Sequence, residues 1–180
     1  INSVNDPPFI DLPGAFTFDE DSSLVEDFSG YVGDIDEDPL VLTASGNVNV
    51  TIQIDGLVVT FGTLPNFNGT ETVTFTVDDS QGLSFASYEL DIIVLPINDP
   101  PELASIGNQE MDENQILLLD IIASDVEGDG LYYDAESSTD MIDAKMVQSQ
   151  LKLTPSLNWN GTAEITVMVN DGFLADSSSF

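Results

Sequence analysis

Apolar residues in this 180-residue chain recur at every second position rather than at helical spacing. Val48, Val50, Ile52 and Ile54 alternate with Asn47, Asn49, Thr51 and Gln53, and Leu57, Val59 and Phe61 resume the alternation beyond Asp55-Gly56. Period two sends successive side chains to opposite faces of a strand, so the stretch predicts a hairpin with one apolar face and a two-residue turn. Val73, Phe75 and Val77 alternate with Thr72, Thr74 and Thr76 in the same way, and Tyr88 to Leu95 predicts a closing strand. Upstream, Phe9-Ile10 and Phe16-Thr17-Phe18 predict a first strand interrupted at Pro13-Gly14, and Leu24, Val25 and Phe28 a second. Polar stretches separate these runs: Asp34 to Pro39, Pro65-Asn66-Phe67-Asn68-Gly69, and Asp78-Asp79-Ser80-Gln81-Gly82. No segment carries a helical period. Roughly seven short strands, each with one apolar face, bury those faces most simply as two packed sheets.

The pattern occurs twice. Asn5-Asp6-Pro7-Pro8 returns as Asn98-Asp99-Pro100-Pro101, a spacing of 98 − 5 = 93 residues. Met111-Asp112-Glu113-Asn114 answers Phe18-Asp19-Glu20-Asp21, and Asp125 through Leu131 answers Asp34 through Leu40. The loop around Asn158-Trp159-Asn160-Gly161-Thr162 answers Asn66-Phe67-Asn68-Gly69-Thr70, and Val169-Asn170-Asp171 answers Val77-Asp78-Asp79. A self-similarity of this length decides the architecture: two tandem modules with the same strand order and small changes in loop length. Residues 1–6 are expected to be the end of a preceding repeat and its joint, 7–98 a first repeat, and 99–180 a second repeat whose last strand is partial. Asp134 to Val147 is the least regular stretch. Each Pro-Pro pair removes two backbone donors and biases the preceding residue to extended conformations, so the repeated word is a stiff joint.

Charge changes the picture. Thirty-three acidic residues face only Lys145 and Lys152, a formal net charge of −31. Such a chain repels nucleic acid and anionic membranes, and its compact form repels itself unless cations are near. A solvated acidic surface adapted to salty surroundings is the plainer explanation for most individual acids. With no Cys and no His, disulfides, zinc sites built on those residues and histidine-dependent acyl transfer are excluded. No run approaches the roughly 18 apolar residues of a membrane span, so direct membrane insertion is not expected.

The sequence resembles the bacterial cadherin-like repeats of large surface and secreted proteins, often called tandem-95 repeats. The likeness lies in the order Asn-Asp-Pro-Pro, Asp-Glu-Asp, Asp-x-Asp-x-Asp-Pro-Leu, Asn-Phe-Asn-Gly-Thr and Val-x-Asp, and covers essentially the whole chain. It implies all-β Ig-like Greek-key sandwiches, an extracellular location at a bacterial cell surface or in secretion, and service as a spacer or adhesive module. Compared with cadherins, Glu20 and Glu113 stand at the acidic residue near the module base, and Asn98 and Asp99 at the linker ligands. Asp125 and Glu127 stand at the paired acids after the second strand, and Asp79 and Asp171 at the acid ending the sixth. The uncharged Asn-Phe-Asn-Gly-Thr loop replaces the cadherin Leu-Asp-Arg-Glu element, which favours one or two ions per joint over three.

Calcium also follows from the residues. It takes six to eight oxygen ligands and tolerates irregular geometry, so acids at alternate positions in a loop suit it. Asp34, Asp36 and Asp38 have that spacing, and without a cation such close carboxylates raise one another's pKa. The first expected ligand set is Asn5, Asp6, Asp34, Asp36, Asp38 and Asp79. The second is Asn98, Asp99, Asp125, Glu127, Asp129 and Asp171, with Glu20 from the module above. The loop lacks the terminal bidentate Glu of an EF-hand. Repetition of the acids argues against a carboxylate-pair glycosidase, and no enzyme activity is expected. Trp159 and Phe67, at equivalent loop positions, are expected to plug the core rather than stack on sugar. The Asn-x-Thr triplets at Asn49, Asn68 and Asn160 are expected to be turns rather than glycan acceptors. The expected function is a calcium-stiffened structural or adhesive spacer in a large cell-surface or secreted protein, its candidate partners neighbouring repeats of the same chain and another cell-surface protein or polysaccharide. The alternatives are a polysaccharide-binding or other ligand-binding accessory module of a secreted enzyme, and a surface-fibre subunit assembling through strand edges.

Overall fold

The computed structural model describes residues 4–81 and 85–180. Residues 1–3, within the expected joint, and Gly82, within the expected Asp78–Gly82 turn, lie outside the described residues. The chain divides into two compact units, Ile1–Ile97 and Asn98–Phe180.

Unit 1 contains β1 (Phe9–Ile10), β2 (Ala15–Asp19), β3 (Leu24–Asp27), a 3-10 turn at Phe28–Gly30, β4 (Val32–Gly33), β5 (Val41–Ser45), β6 (Val50–Asp55), β7 (Val58–Thr63), β8 (Gly69–Asp78) and β9 (Phe85–Leu95). One sheet has the order β2-β9-β8-β5, the other β3-β7-β6, and β1 pairs with β4. β9 is antiparallel to β8 and parallel to β2, with Ala15 opposite Asp91 and Asp19 opposite Leu95. The alternation seen in the sequence becomes the core: Val50, Val59, Phe61, Val73, Phe75, Leu90, Ile92 and Val94 are buried. Phe28, expected to continue the second strand, instead begins the 3-10 turn and drops its ring into this core. Phe16, Phe28, Tyr31, Phe61 and Phe75 form a ring cluster, with Phe28 and Phe75 5.0 Å apart at their centroids. Tilted and edge-on contacts of this kind add to the burial of large apolar side chains.

The hairpin turn lies one residue later than the sequence suggests. Asp55 pairs with Val58, leaving Gly56-Leu57 as the two-residue loop. Gly56 takes φ +61° at the first central position, where a type II′ turn needs glycine. Leu57 packs against the core, so its apolar character marks a turn rather than a strand start.

Unit 2 contains β10 (Glu102–Leu103), β11 (Leu117–Asp120), β12 (Ala123–Ser124), β13 (Tyr132–Ser137), β14 (Ile142–Val147), β15 (Gln150–Pro155), β16 (Ile165–Asn170) and β17 (Ala175–Ser179). Its sheets are β13-β16-β17 and β11-β15-β14, with β10 pairing β12. The irregular stretch from Asp134 to Val147 folds into most of β13 and all of β14. Ala135 and Ala144 face the core there, and alanine blurs the apolar alternation. The two units repeat their special backbone positions: Asp21 and Asn114, and Asn66 and Asn158, all hold φ between +56° and +65°. Asp and Asn tolerate that left-handed conformation best among residues with a Cβ.

Candidate metal centre

The Asp34–Pro39 loop leaves β4 and curls so that alternate carboxylates converge. Asp34 Oδ1 accepts from the backbone N–H of Asp36 at 2.7 Å and of Asp38 at 3.4 Å. Glu37, at φ +60°, makes the sharp bend between them. Carboxylate oxygens of Asp34, Asp36 and Asp38 thereby lie within 4.8 Å of one another, the one such acidic trio among the described residues. Asp34 Oδ2 is buried and accepts no hydrogen bond.

The Asn5-Asp6 dipeptide ties this loop to the end of β8. Asn5 Nδ2 donates to Asp79 Oδ2 at 2.9 Å, and the Asp6 N–H donates to Asp36 Oδ2 at 2.8 Å. Asp79 is 1% exposed and also accepts from the Gln81 N–H, while Gln81 Nε2 reaches Asp38 Oδ1 at 3.4 Å. The Asn5 amide, followed by the Gln81 N–H, holds the Asp79 carboxyl below its ordinary pKa, against the opposing effect of desolvation. Six of the expected ligand residues are therefore joined in one network.

Unit 2 repeats the frame. Asn98 Nδ2 donates to Asp171 Oδ2 at 2.8 Å, and the Asp99 N–H donates to Glu127 Oε2 at 3.3 Å. Asp125 Oδ1 accepts from the Asp129 N–H at 2.9 Å, as Asp34 does from Asp38, and Asp125 Oδ2 is again a buried oxygen with no hydrogen bond. The Asn98 amide, then the Leu174 and Phe173 N–H groups, depress the Asp171 pKa. The difference is closure: Asp125, Glu127 and Asp129 do not come within the spacing of the first trio. Gly128, at φ +78°, and Gly130 loosen the segment where unit 1 has Glu37 and Pro39.

Glu20 stands apart from the loop network of unit 1. It is 2% exposed at the end of β2, where Oε1 accepts from the Ile97 N–H at 2.9 Å and from Asn68 Nδ2 at 3.3 Å, and Oε2 has no hydrogen bond. Its counterpart Glu113 is exposed. Glu71, which no sequence motif marks, receives the N–H groups of Val48, Asn49 and Val50. Burial alone raises its pKa most among single effects, but these donors together hold it below the ordinary value. Only its position opposite the start of β6 marks it, which requires the strand register.

Phe67 packs against the unit 1 core as expected, whereas Trp159 is half-buried and lines a surface groove instead of joining the buried cluster. The exposed aromatics Phe9, Phe85, Tyr132 and Phe173 stand on four separate segments. Among the described residues, the close ring pairs all belong to the unit 1 core.

The chemistry of the first centre is that of a hard cation. Its potential donors are oxygens, three carboxylates already converge, and a buried carboxylate oxygen lacks a partner. The Asp34, Asp36 and Asp38 triad can hold a metal ion.

The sequence profile of a bacterial Ig domain family matches residues 5–91 and again residues 98–179. No curated protein sequence matches the chain. Among solved structures, human protocadherin-24 EC1-2 is similar at a TM-score of 0.55 and 18% identity, covering 97% of this chain and 97% of that one. Another crystal structure of the same fragment gives 0.53 and 16%, over 98% and 94%. An endo-fucoidan hydrolase of glycoside hydrolase family 107 aligns at 0.47 and 17% identity over 96% of this chain. This chain spans 28% of the hydrolase's length. At these identities the likeness concerns the fold: two tandem Ig-like, cadherin-like sandwiches.

Proposed function

Because the chain belongs to the bacterial Ig domain family, in two tandem copies, we propose that it is a non-enzymatic, calcium-binding spacer segment of a surface or secreted protein. The supporting observation is the repeated frame. In each unit an Asn-Asp dipeptide at the entry is hydrogen-bonded to the acid that follows β8 or β16, Asp79 or Asp171, and to the second acid of the loop. In each, the first loop acid turns a buried, unpartnered oxygen inward. Leaving a buried carboxylate oxygen unsatisfied costs stability, and a cation removes that cost. Calcium is favoured over magnesium because the donors sit on loops of irregular geometry, which suit its larger and more variable shell.

The ion's role is mechanical. Carboxylates from the loop and the entry dipeptide would share it, so the segment leading into each unit would be fixed to that unit instead of swinging. Calcium would also offset part of the −31 charge that opposes compaction. The exposed aromatics, scattered over separate elements, offer no stacking platform of the sort a polysaccharide-binding face uses. Neighbouring repeats are the proposed partners.

Calorimetric titration with calcium tests this reading on the wild type and on Asp34→Asn and Asp125→Asn. The expected result is saturable binding from which each substitution removes a separate component. No binding heat at millimolar calcium, or binding unchanged in the double variant, would overturn it.

A further inference from the structure

The triplet Asn-Gly-Thr stands at Asn68-Gly69-Thr70 and again at Asn160-Gly161-Thr162, each time after an aromatic residue, Phe67 or Trp159. Asparagine followed by glycine is the least hindered pairing for attack of a backbone nitrogen on the preceding side-chain amide, because glycine carries no Cβ. Both asparagines are exposed, so access by water does not separate the two copies. Their restraints do.

In unit 1 the step is held at both ends. Gly69 opens β8 in register with Val94, and Asn68 Nδ2 donates to Oε1 of the buried Glu20 at 3.3 Å. Ring closure between Asn68 and the Gly69 nitrogen requires the end of the β8–β9 ladder to open and the amide to leave Glu20. In unit 2 neither restraint is found. Asn160 and Gly161 lie outside any strand, ahead of β16, and the Asn160 side chain has no hydrogen-bond partner among the described residues. Glu113, which answers Glu20, is exposed. Packing also ties the glycine to its place. A Cβ on Gly161 would lie 2.8 Å from Cζ2 of Trp159 and 3.3 Å from Cε2, so the indole rests on this residue. A bulkier residue that shielded Asn160 would displace the indole.

We propose that Asn160 is a self-catalysed deamidation site of unit 2, and that strand pairing and Glu20 protect the same triplet in unit 1. The Gly161 nitrogen bonds to Asn160 Cγ, the Cγ–Nδ2 bond breaks, and Nδ2 leaves as ammonia with the proton of the Gly161 N–H. The cyclic imide so formed takes up one water. Opening at the Cγ–N bond gives aspartate at 160 on the ordinary main chain. Opening at the α-carbonyl gives isoaspartate, which adds one carbon to the main chain between Trp159 and β16. Nothing is oxidised or reduced, and water is the sole co-reactant. Either product adds a negative charge to a groove lined also by Glu110, Asp112 and Glu113. Repulsion among these acids weakens unit 2 as the chain ages and leaves unit 1 intact. The inference is independent of calcium.

The test incubates the whole folded chain at mildly alkaline pH and follows both triplets by peptide mapping, with enzymatic methylation of isoaspartate as a second readout. The chain denatured in urea is the reference, in which the two identical triplets should react at similar rates. In the folded chain Asn160 should react at least about tenfold faster than Asn68, whose reaction waits on local opening of the strand. Trp159 emission should drift in step with the modification, and Asn160→Gln should abolish both. Glu20→Ala should raise the rate at Asn68. Equal rates at the two asparagines of the folded chain, or an Asn160 that stays intact while the denatured chain reacts, would overturn the proposal.

Discussion

Five aromatic rings meet at the centre of unit 1, whereas every buried core residue of unit 2 is aliphatic. Yet the acidic loops and their Asn-Asp anchors follow the same hydrogen-bond plan in both. A core tolerates exchange of apolar residues if volume and patterning are kept. A cation site depends on oxygens at fixed separations and has less room to drift. The contrast teaches where the repeat is constrained: at the loops rather than in the packing.

Breaking the aromatic centre should have the largest effect and should stay local. Phe28→Ala is expected to destabilise unit 1 by about 3–5 kcal/mol, the usual cost of removing a buried ring. Denaturation followed by Trp159 fluorescence, which senses only unit 2, should keep its midpoint while far-UV circular dichroism shows an earlier unit 1 transition. A Trp159 midpoint that moves with it would mean the units do not unfold separately.

The loops can be separated next. In saturating calcium, Asp34→Asn should lose the unit 1 stabilisation and keep that of unit 2, with Asp125→Asn giving the converse. At calcium a hundredfold above its dissociation constant each lost increment would be about 2.7 kcal/mol. Calorimetric scans of the two variants would expose a shared rather than separate contribution.

Acid sharpens the comparison in another way. The folded-state pKa of Glu71 is depressed, so its stabilisation is fully present above the ordinary glutamate value and is lost as pH falls through the folded value. The position matching Glu71 in unit 2 is Ala163. Glu71→Gln should therefore lower the unit 1 transition at neutral pH, with the difference from wild type shrinking as pH falls below the ordinary glutamate value. Unit 2 should be indifferent to the substitution at every pH. The smallest effect belongs to the exposed Lys145–Asp143 pair, 2.6 Å apart with both side chains more than half exposed. Lys145→Ala should change unit 2 by less than about 1 kcal/mol, and a larger loss would point to a role beyond that pair.

Much of this was readable before any coordinates. Alternation at Val73, Phe75 and Val77 predicts β8, and the recurrence of Asn-Asp-Pro-Pro predicts two sandwiches because both signals are local and periodic. Signals failed where a residue serves two grammars. Leu57 continues the apolar alternation but fills a turn, and Val48 begins it but is 76% exposed. Ala135 and Ala144 are too small to announce a core face. Trp159 matches Phe67 in the repeat, but it lines a surface groove beside residues 161–164, which form no strand, whereas Phe67 packs against a core beside the start of β8. Among the acids, spacing pointed to the Asp34 trio. The roles of Asp79 and Asp171 as acceptors for Asn5 and Asn98 depend on contacts more than seventy residues apart in sequence, which spacing does not reveal.

The most direct test of the central claim is differential scanning calorimetry of the wild-type chain in excess calcium and in chelator at the same ionic strength. The account predicts that the transitions of both units rise in calcium, and that magnesium at equal concentration reproduces little of the shift. Transitions that coincide in calcium and chelator would contradict it, and would leave the acidic loops as surface charge alone.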